Sequence, residues 1–175
     1  MKYTLSLLVE DDFGVLSRIC GVLIRRGFNI ESLCSGPSEH IGFSKINIVV
    51  VSDFRAIEQI IKQLYKLMNV IEVQNLTSVP CVESELMLIK VQTKKSTRSE
   101  ILEIGQIFRA KVIDLGFESL TFEITGNNDK LVAIEQLLFK FGIKEISRTG
   151  KIALSRSFIV NSEYLQIHSK YTNWG

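Results

Sequence analysis

Histidine and paired cysteine are scarce in this 175-residue chain, which has two histidines, His40 and His168, and three cysteines, Cys20, Cys34 and Cys81. The cysteines are odd in number and widely spaced, without the C-x2-C pairs of a zinc site or the regular spacing of a disulfide framework. They are expected to be reduced, buried thiols that serve as small apolar residues. Nothing in the sequence places either histidine with a Cys or Ser as a catalytic pair, and no metal site is expected. One-sided charge is missing too. Twenty-one Lys and Arg against 19 Asp and Glu leave a formal charge of +2, with no long run of either sign. A nucleic-acid partner would call for basic residues gathered on one face, and the balance gives no sign of them. No stretch approaches the roughly 18 consecutive apolar residues of a membrane span. Met1-Lys2-Tyr3-Thr4-Leu5 runs straight into strand-like sequence, so no signal or transit peptide is expected.

What remains is ordinary globular composition, 46% hydrophobic and 23% charged, and a length that suits one domain or two small ones. Tyr3, Leu5, Leu7 and Val9 alternate with polar residues and predict a half-buried strand. Val15, Ile19, Val22 and Leu23 recur at helical spacing, and Arg25-Arg26-Gly27 supplies basic residues and a glycine for the helix end. A strand over 28–35, a loop over 36–42 and a β-branched strand over 43–51 follow. Ser52-Asp53 is expected to cap a helix whose Ile57, Ile60, Ile61, Leu64 and Met68 make one apolar face. A strand over 70–76 completes a β-α-β-β-α-β order, the ferredoxin-like arrangement.

Thr77-Ser78-Val79-Pro80 reads as a linker, after which the pattern restarts. Strands are predicted over 86–91, 111–115, 120–125 and 143–148. Helices are predicted over 99–108, with Ile101, Ile104 and Phe108 inward, and from a cap at Asp129 through Leu131, Ile134, Leu138 and Phe141. The expected fold class is therefore α+β, with two tandem ferredoxin-like βαββαβ domains at residues 1–78 and 79–156. Residues 157–175 are expected to form a loosely docked tail.

Chemistry concentrates where the first strand meets the first helix, at Glu10-Asp11-Asp12-Phe13-Gly14-Val15-Leu16. A helix N-terminus offers unpaired N–H groups and partial positive charge, which suit a carboxylate. Gly14 leaves the backbone open to close approach, and Asp11 could meet an ammonium group. Together they suit a zwitterion such as a free α-amino acid. The same residues would also serve a plain helix cap and a tight turn. Asn29, in Gly27-Phe28-Asn29-Ile30-Glu31-Ser32-Leu33, can donate and accept hydrogen bonds to a polar head group, or simply serve the turn after Gly27. The second half has no Asp-x-x-Gly at its own junction, Gln92-Thr93-Lys94-Lys95-Ser96-Thr97, and is not expected to hold a second copy of the site.

Asp11-x-x-Gly14-x-Leu16 followed by Gly27 to Leu33 resembles the ACT domain of the small, regulatory subunits of acetolactate synthase (acetohydroxyacid synthase). The resemblance continues through Glu85 to Val91, Ile107 to Asp114, Thr125-Gly126 with Lys130-Leu131, and Arg148-Thr149-Gly150 with Ala153 to Arg156, covering about residues 2–156. It implies that the first domain is an ACT domain and that the chain is not itself an enzyme. It further implies a catalytic large subunit as partner, which the ACT domain contacts and activates, with the C-terminal domain helping transmit feedback inhibition by valine. The thiamine diphosphate, FAD and Mg²⁺ of the reaction are implied in that partner, with no cofactor in this chain. Carried over residue by residue, the effector site comprises Asp11, Gly14, Val15 and Leu16, with Asn29 and Ile30 supplied by a second protomer across a two-fold interface. Many relatives have Asn where this chain has Asp11. Aliphatic residues around the head-group site could bury a branched side chain for about 1.5–3 kcal/mol.

Rival readings fit less well. An RNA-binding sheet would place aromatics on its central strands, whereas residues 43–51 have one at their edge. A heavy-metal carrier would show a Cys pair at the first loop, and an acyl-phosphate hydrolase would need a built anion cradle. A transcription regulator would need a helix-turn-helix, for which the two α+β halves leave no room. The alternative kept open is an ACT-type amino-acid sensor subunit of another biosynthetic enzyme. A composition rich in Ile, Lys, Asn and Phe, with no transit peptide expected, fits a bacterial cytoplasm, or a plastid stroma if the gene is plastid-encoded.

Overall fold

The computed structural model describes residues 1–156; the tail expected at residues 157–175 lies outside the described residues. The first half runs β1 (Lys2–Glu10), α1 (Val15–Arg25), β2 (Asn29–Pro37), β3 (Phe43–Val51), α2 (Phe54–Leu64) and β4 (Val70–Asn75). A 3-10 turn at Leu76–Ser78 leads to β5 (Cys81–Gln92), α3 (Arg98–Ile107), β6 (Lys111–Leu115), β7 (Ser119–Gly126), α4 (Asn128–Phe139), β8 (Ile143–Arg148) and β9 (Ile152–Ser155). The strand orders are β2-β3-β1-β4 and β6-β7-β5-β8, with β9 paired to β5. Each half is an antiparallel sheet with two helices, so the chain is two tandem ferredoxin-like units.

Each sheet buries its own core against its own helices. Leu5, Leu7, Ile46, Ile48 and Val50 meet Ile19 and Leu23 of α1 and Ile57, Ile60 and Leu64 of α2. Met87, Ile89, Val91, Phe122 and Ile124 meet Ile101 of α3 and Leu131, Ile134 and Leu138 of α4. Each such side chain contributes about 1.5–3 kcal/mol of burial, and the alternation along the strands fixes which face points inward.

Local signals set most element ends. Gly27, at φ 76°, closes α1, its N–H donating to Ile24 O at 2.9 Å. Asp53 Oδ1 accepts from Ala56 N–H at 2.7 Å and caps α2. In α4 the cap is Asn127, which accepts from Lys130 N–H at 3.2 Å. Asp129, expected in that role, falls in the first turn, where its charge suits the helix dipole. Met68, expected on the apolar face of α2, lies beyond the end of that helix and is 93% exposed.

Two differences from the expected strands share one cause. β5 starts at Cys81 rather than Leu86 because its first four residues pair with β9, from Cys81 opposite Ser155 to Ser84 opposite Ile152. This two-stranded ribbon lies against the outer face of the first sheet, where β9 touches β1 and Ala153 is buried. The polar side of β1 is therefore covered as well, and Thr4 and Ser6 are buried rather than solvated. No helix among the described residues is long and apolar enough to cross a membrane.

Candidate functional site

β1 delivers the chain to the start of α1, and that corner is tied down from three sides. Asp11 N–H donates to Gly42 O at 2.8 Å, which holds the loop after β1 against the loop before β3. Glu10 N–H donates to Asn69 O at 2.9 Å, and Asn69 Nδ2 returns a bond to Glu10 Oε2 at 2.7 Å. Arg18, on the first turn of α1, donates from Nη1 to Asn69 Oδ1 at 2.6 Å. The helix start is thus locked to both loops at this end of the sheet. Nothing in the local sequence around Glu10, Arg18 or Asn69 announced this link, since it joins residues 51 to 59 positions apart.

Gly14 is the N-cap of α1 at φ 78°, ψ 0°, a left-handed conformation that favours glycine, and no side chain caps the helix. A methyl group placed on Gly14 would meet nothing within 4 Å, so the approach to the backbone is open. Asp12 Oδ1 accepts from the neighbouring Phe13 N–H at 2.7 Å, so its side chain does not cap the helix. Arg18 N–H is bonded within the turn to Gly14 O at 2.9 Å and Val15 N–H reaches back to Asp12 O at 3.4 Å, while the N–H groups of Leu16 and Ser17 point out of the helix end. Asp11 is exposed at the rim. The arrangement offers backbone donors for a carboxylate and a carboxylate for an ammonium group. Exposed Phe13, Leu16 and Ile41 stand at the same end and were not all foreseen, because Phe13 and Ile41 lie in loops without periodicity.

Of the residues singled out in the sequence, Asp11, Gly14 and Leu16 come together on this open corner. Val15 does too, but its side chain is buried in the core and only its backbone faces the corner. Asn29 and Ile30 do not join them. Asn29 opens β2 opposite Val51, whereas Glu10 ends β1 opposite Phe43. Eight residue steps along β3 separate those positions, about 26 Å at 3.3 Å per residue. Asn29 is exposed and Ile30 packs partly against the core. A separate cavity of about 430 Å³ lies between the two halves, lined by Lys2, Glu31, Ser32, Arg148, Gly150 and Lys151 among others. All three cysteines are free but only half-buried, not buried as expected, because each sits on a helix or strand face outside the two cores. Among the described residues no group of three His, Cys, Asp or Glu side chains gathers to hold a metal ion.

Comparison with known proteins gives two family matches in tandem. Residues 5–72 match the profile described as the AHAS small subunit-like ACT domain, and residues 84–157 match that of the small subunit of acetolactate synthase. The chain is 46% identical over 156 residues to the probable acetolactate synthase small subunit of Archaeoglobus fulgidus, covering 89% of this chain and 98% of that one. It is 50% identical over 155 residues to the chloroplastic acetolactate synthase small subunit 2 of Arabidopsis thaliana. That match covers 89% of this chain and only 32% of the longer plant protein. The crystal structure of the acetolactate synthase small subunit from Thermotoga maritima superposes with a TM-score of 0.85 at 39% identity, over 91% of this chain and 99% of that one.

Proposed function

The chain belongs to the family of acetolactate synthase small subunits, and from that premise we propose that it activates the catalytic subunit and confers feedback inhibition by valine. In this reading the amino acid sits between the ACT domains of two copies. Its carboxylate meets the backbone at Gly14, Val15 and Leu16, and its ammonium group meets Asp11. Asn29 and Ile30 of the second copy close the site.

The observation that carries the reading is the separation of the two groups along a single sheet. The strand order leaves β2 at an edge. Pairing β2 with its own copy antiparallel across a two-fold axis would set Asn29 of one chain opposite the Pro37 end of the other. Pro37 lies opposite Ser44, beside the Phe43–Glu10 pair that leads into Asp11. The two-fold operation therefore carries Asn29 to the end of the sheet where the open helix start lies. Leu16, Cys20 and Ile24, four residues apart on α1, form an apolar stripe outside the core, with Leu16 and Ile24 42% and 66% exposed. That stripe suits burial in the same dimer.

A ligand held by two chains stabilises one dimer geometry over another, and the catalytic subunit bound to that dimer senses the change through linkage. The thiamine diphosphate, FAD and Mg²⁺ stay with the catalytic subunit, and this chain supplies only the effector site and the contact. The compartment is the one that houses that enzyme, a bacterial cytoplasm or a plastid stroma.

Reconstitution with the purified catalytic subunit tests the reading, with acetolactate formation measured with and without valine. The small subunit should raise activity in the absence of valine and lower it in its presence. Gly14→Asp places a negative charge where the ligand carboxylate would sit, and Gly14→Asn keeps a residue that tolerates the left-handed backbone without the charge. The Asp variant should still activate but lose the valine response, with the Asn variant less affected. An Asp variant as sensitive to valine as the parent would place the site elsewhere. A response to leucine, isoleucine or serine in place of valine would reassign the effector while leaving the corner intact.

A further inference from the structure

Asn69 stands between the two ends of the loop that forms the open corner. Its backbone carbonyl accepts from Glu10 N–H at 2.9 Å, just before that loop, and its Nδ2 donates to Glu10 Oε2 at 2.7 Å. Its Oδ1 accepts from Arg18 Nη1 at 2.6 Å, one turn into the helix that follows. A single amide thus clasps both ends of residues 11–14, with its donor on a carboxylate and its acceptor on a guanidinium. No side chain caps α1, so the direction of its free N–H groups rests on what holds the loop.

The path of β4 brings this residue into place. Its ladder with β1 shifts by one between Leu8 opposite Glu72 and Val9 opposite Val70, which leaves Ile71 as an extra, exposed residue. Asn69 rather than Val70 therefore comes level with Glu10. The C-terminal sheet has the same shift, between Lys90 opposite Glu145 and Val91 opposite Ile143, and there Gln92 N–H donates to Gly142 O at 2.8 Å. The residue level with that strand end is a glycine, which has no side chain to reach the neighbouring helix. The backbone arrangement belongs to the fold in both halves, whereas the clasping amide occurs only beside the open junction. Glu10 and Asn69 are half-buried and Arg18 is exposed, and none of them belongs to the apolar core. Polar bonds this close to water add little to global stability, and their effect falls on the loop they hold.

We propose that Asn69 is a positioning residue for the amino-acid effector, one that aims the Leu16 and Ser17 N–H groups at the ligand carboxylate without touching the ligand. The proposal rests on the valine reading above. Donors already fixed in direction bind at a lower ordering cost than donors on a loose loop, so the clasp raises affinity from outside the site.

Calorimetry of valine with the purified full chain tests this, alongside thermal melts and hydrogen exchange over residues 11–18. Asn69→Ala should raise the valine dissociation constant about tenfold and speed exchange over 11–18 with or without valine. Its melting temperature should stay within about 3 °C of the parent. Asn69→Asp keeps the acceptor for Arg18 but turns a carboxylate on Glu10, and should weaken valine at least as much. Adding Glu10→Gln to Asn69→Asp restores a donor for that acceptor and the original charge, and should return the constant to within about threefold of the parent. A residue that merely stabilised the sheet would show no such rescue. The proposal fails if Asn69→Ala binds valine within about twofold of the parent, if Glu10→Gln brings no improvement over Asn69→Asp alone, or if exchange over 11–18 is unchanged. A parent chain that binds no valine would refute the valine reading, and the exchange comparison would still decide whether Asn69 holds the loop.

Discussion

The two halves follow the same βαββαβ path, but their first strand-to-helix junctions differ. In the first half, four residues after β1 lead into a helix whose start is a bare glycine with open space above it. In the second half, the longer junction Gln92 to Thr97 folds in on itself. Thr93 is buried, and Thr97 Oγ1 accepts from Lys94 N–H at 3.2 Å. Arg98, in the first turn of α3, spends its guanidinium on the β6–β7 turn. The start of α3 thus carries a cation already engaged by the protein's own backbone, where the start of α1 carries only a bare glycine. Topology decides where along a fold a ligand site can form, while the side chains at the junction decide whether it stays open or becomes part of the scaffold.

Four measurements would break or sharpen that comparison. The largest effect is expected from a core truncation. Ile19→Ala removes a fully buried side chain from the first core only and should lower stability by about 2–5 kcal/mol. Hydrogen exchange should show lost protection in β1 and β3 with β5 and β7 unchanged; equal loss in both sheets would mean that the halves fold as one unit.

Next in size is a glycine contrast. A methyl group on Gly105 of α3 would lie 2.4 Å from the Phe122 ring, whereas one on Gly21 of α1 meets nothing within 4 Å. Gly105→Val should therefore cost about 1–3 kcal/mol by overpacking. Gly21→Ala should gain about 0.5–1 kcal/mol in the isolated chain from helix propensity. Thermal melts of both variants check the signs, and a neutral Gly105→Val would mean that Phe122 has room to move.

Asn29→Ala addresses the open corner. If Asn29 meets the ligand head group from the second copy, valine should bind about 1–3 kcal/mol more weakly by calorimetry. An unchanged dissociation constant reduces Asn29 to a turn residue. The smallest effects belong to the helix caps. Asp53→Ala and Asn127→Ala should each cost about 1 kcal/mol, the first felt in the ACT unit and the second in the C-terminal one.

Much of this architecture is legible residue by residue. The periodic apolar positions of α1 and α2, the Gly27 helix end and the Asp53 cap act within a few residues of themselves, so a reading of the chain finds them. The Asp11-x-x-Gly14 corner is legible for the same reason. Asn127 replaces Asp129 as a cap because neighbouring candidates differ only in backbone geometry, which composition does not report. Met68 is misplaced because its spacing continues the α2 pattern after the helix itself has stopped at Leu64. Glu10, Arg18 and Asn69 were missed because their bonds join segments far apart in the chain.

By itself the sequence determined two α+β halves, their cores and the glycine-opened helix start, since hydrophobic periodicity and turn chemistry are short-range properties. Only the tertiary structure decided that β9 returns to Cys81–Ser84 and covers the polar side of β1, that Arg98 closes the second junction, and that Asn29 lies about 26 Å along the sheet from Glu10, the residue that leads into Asp11. Each of these depends on which distant strand pairs with which, and in what register. A register is set by the summed packing of a whole sheet face, which no single stretch of sequence contains.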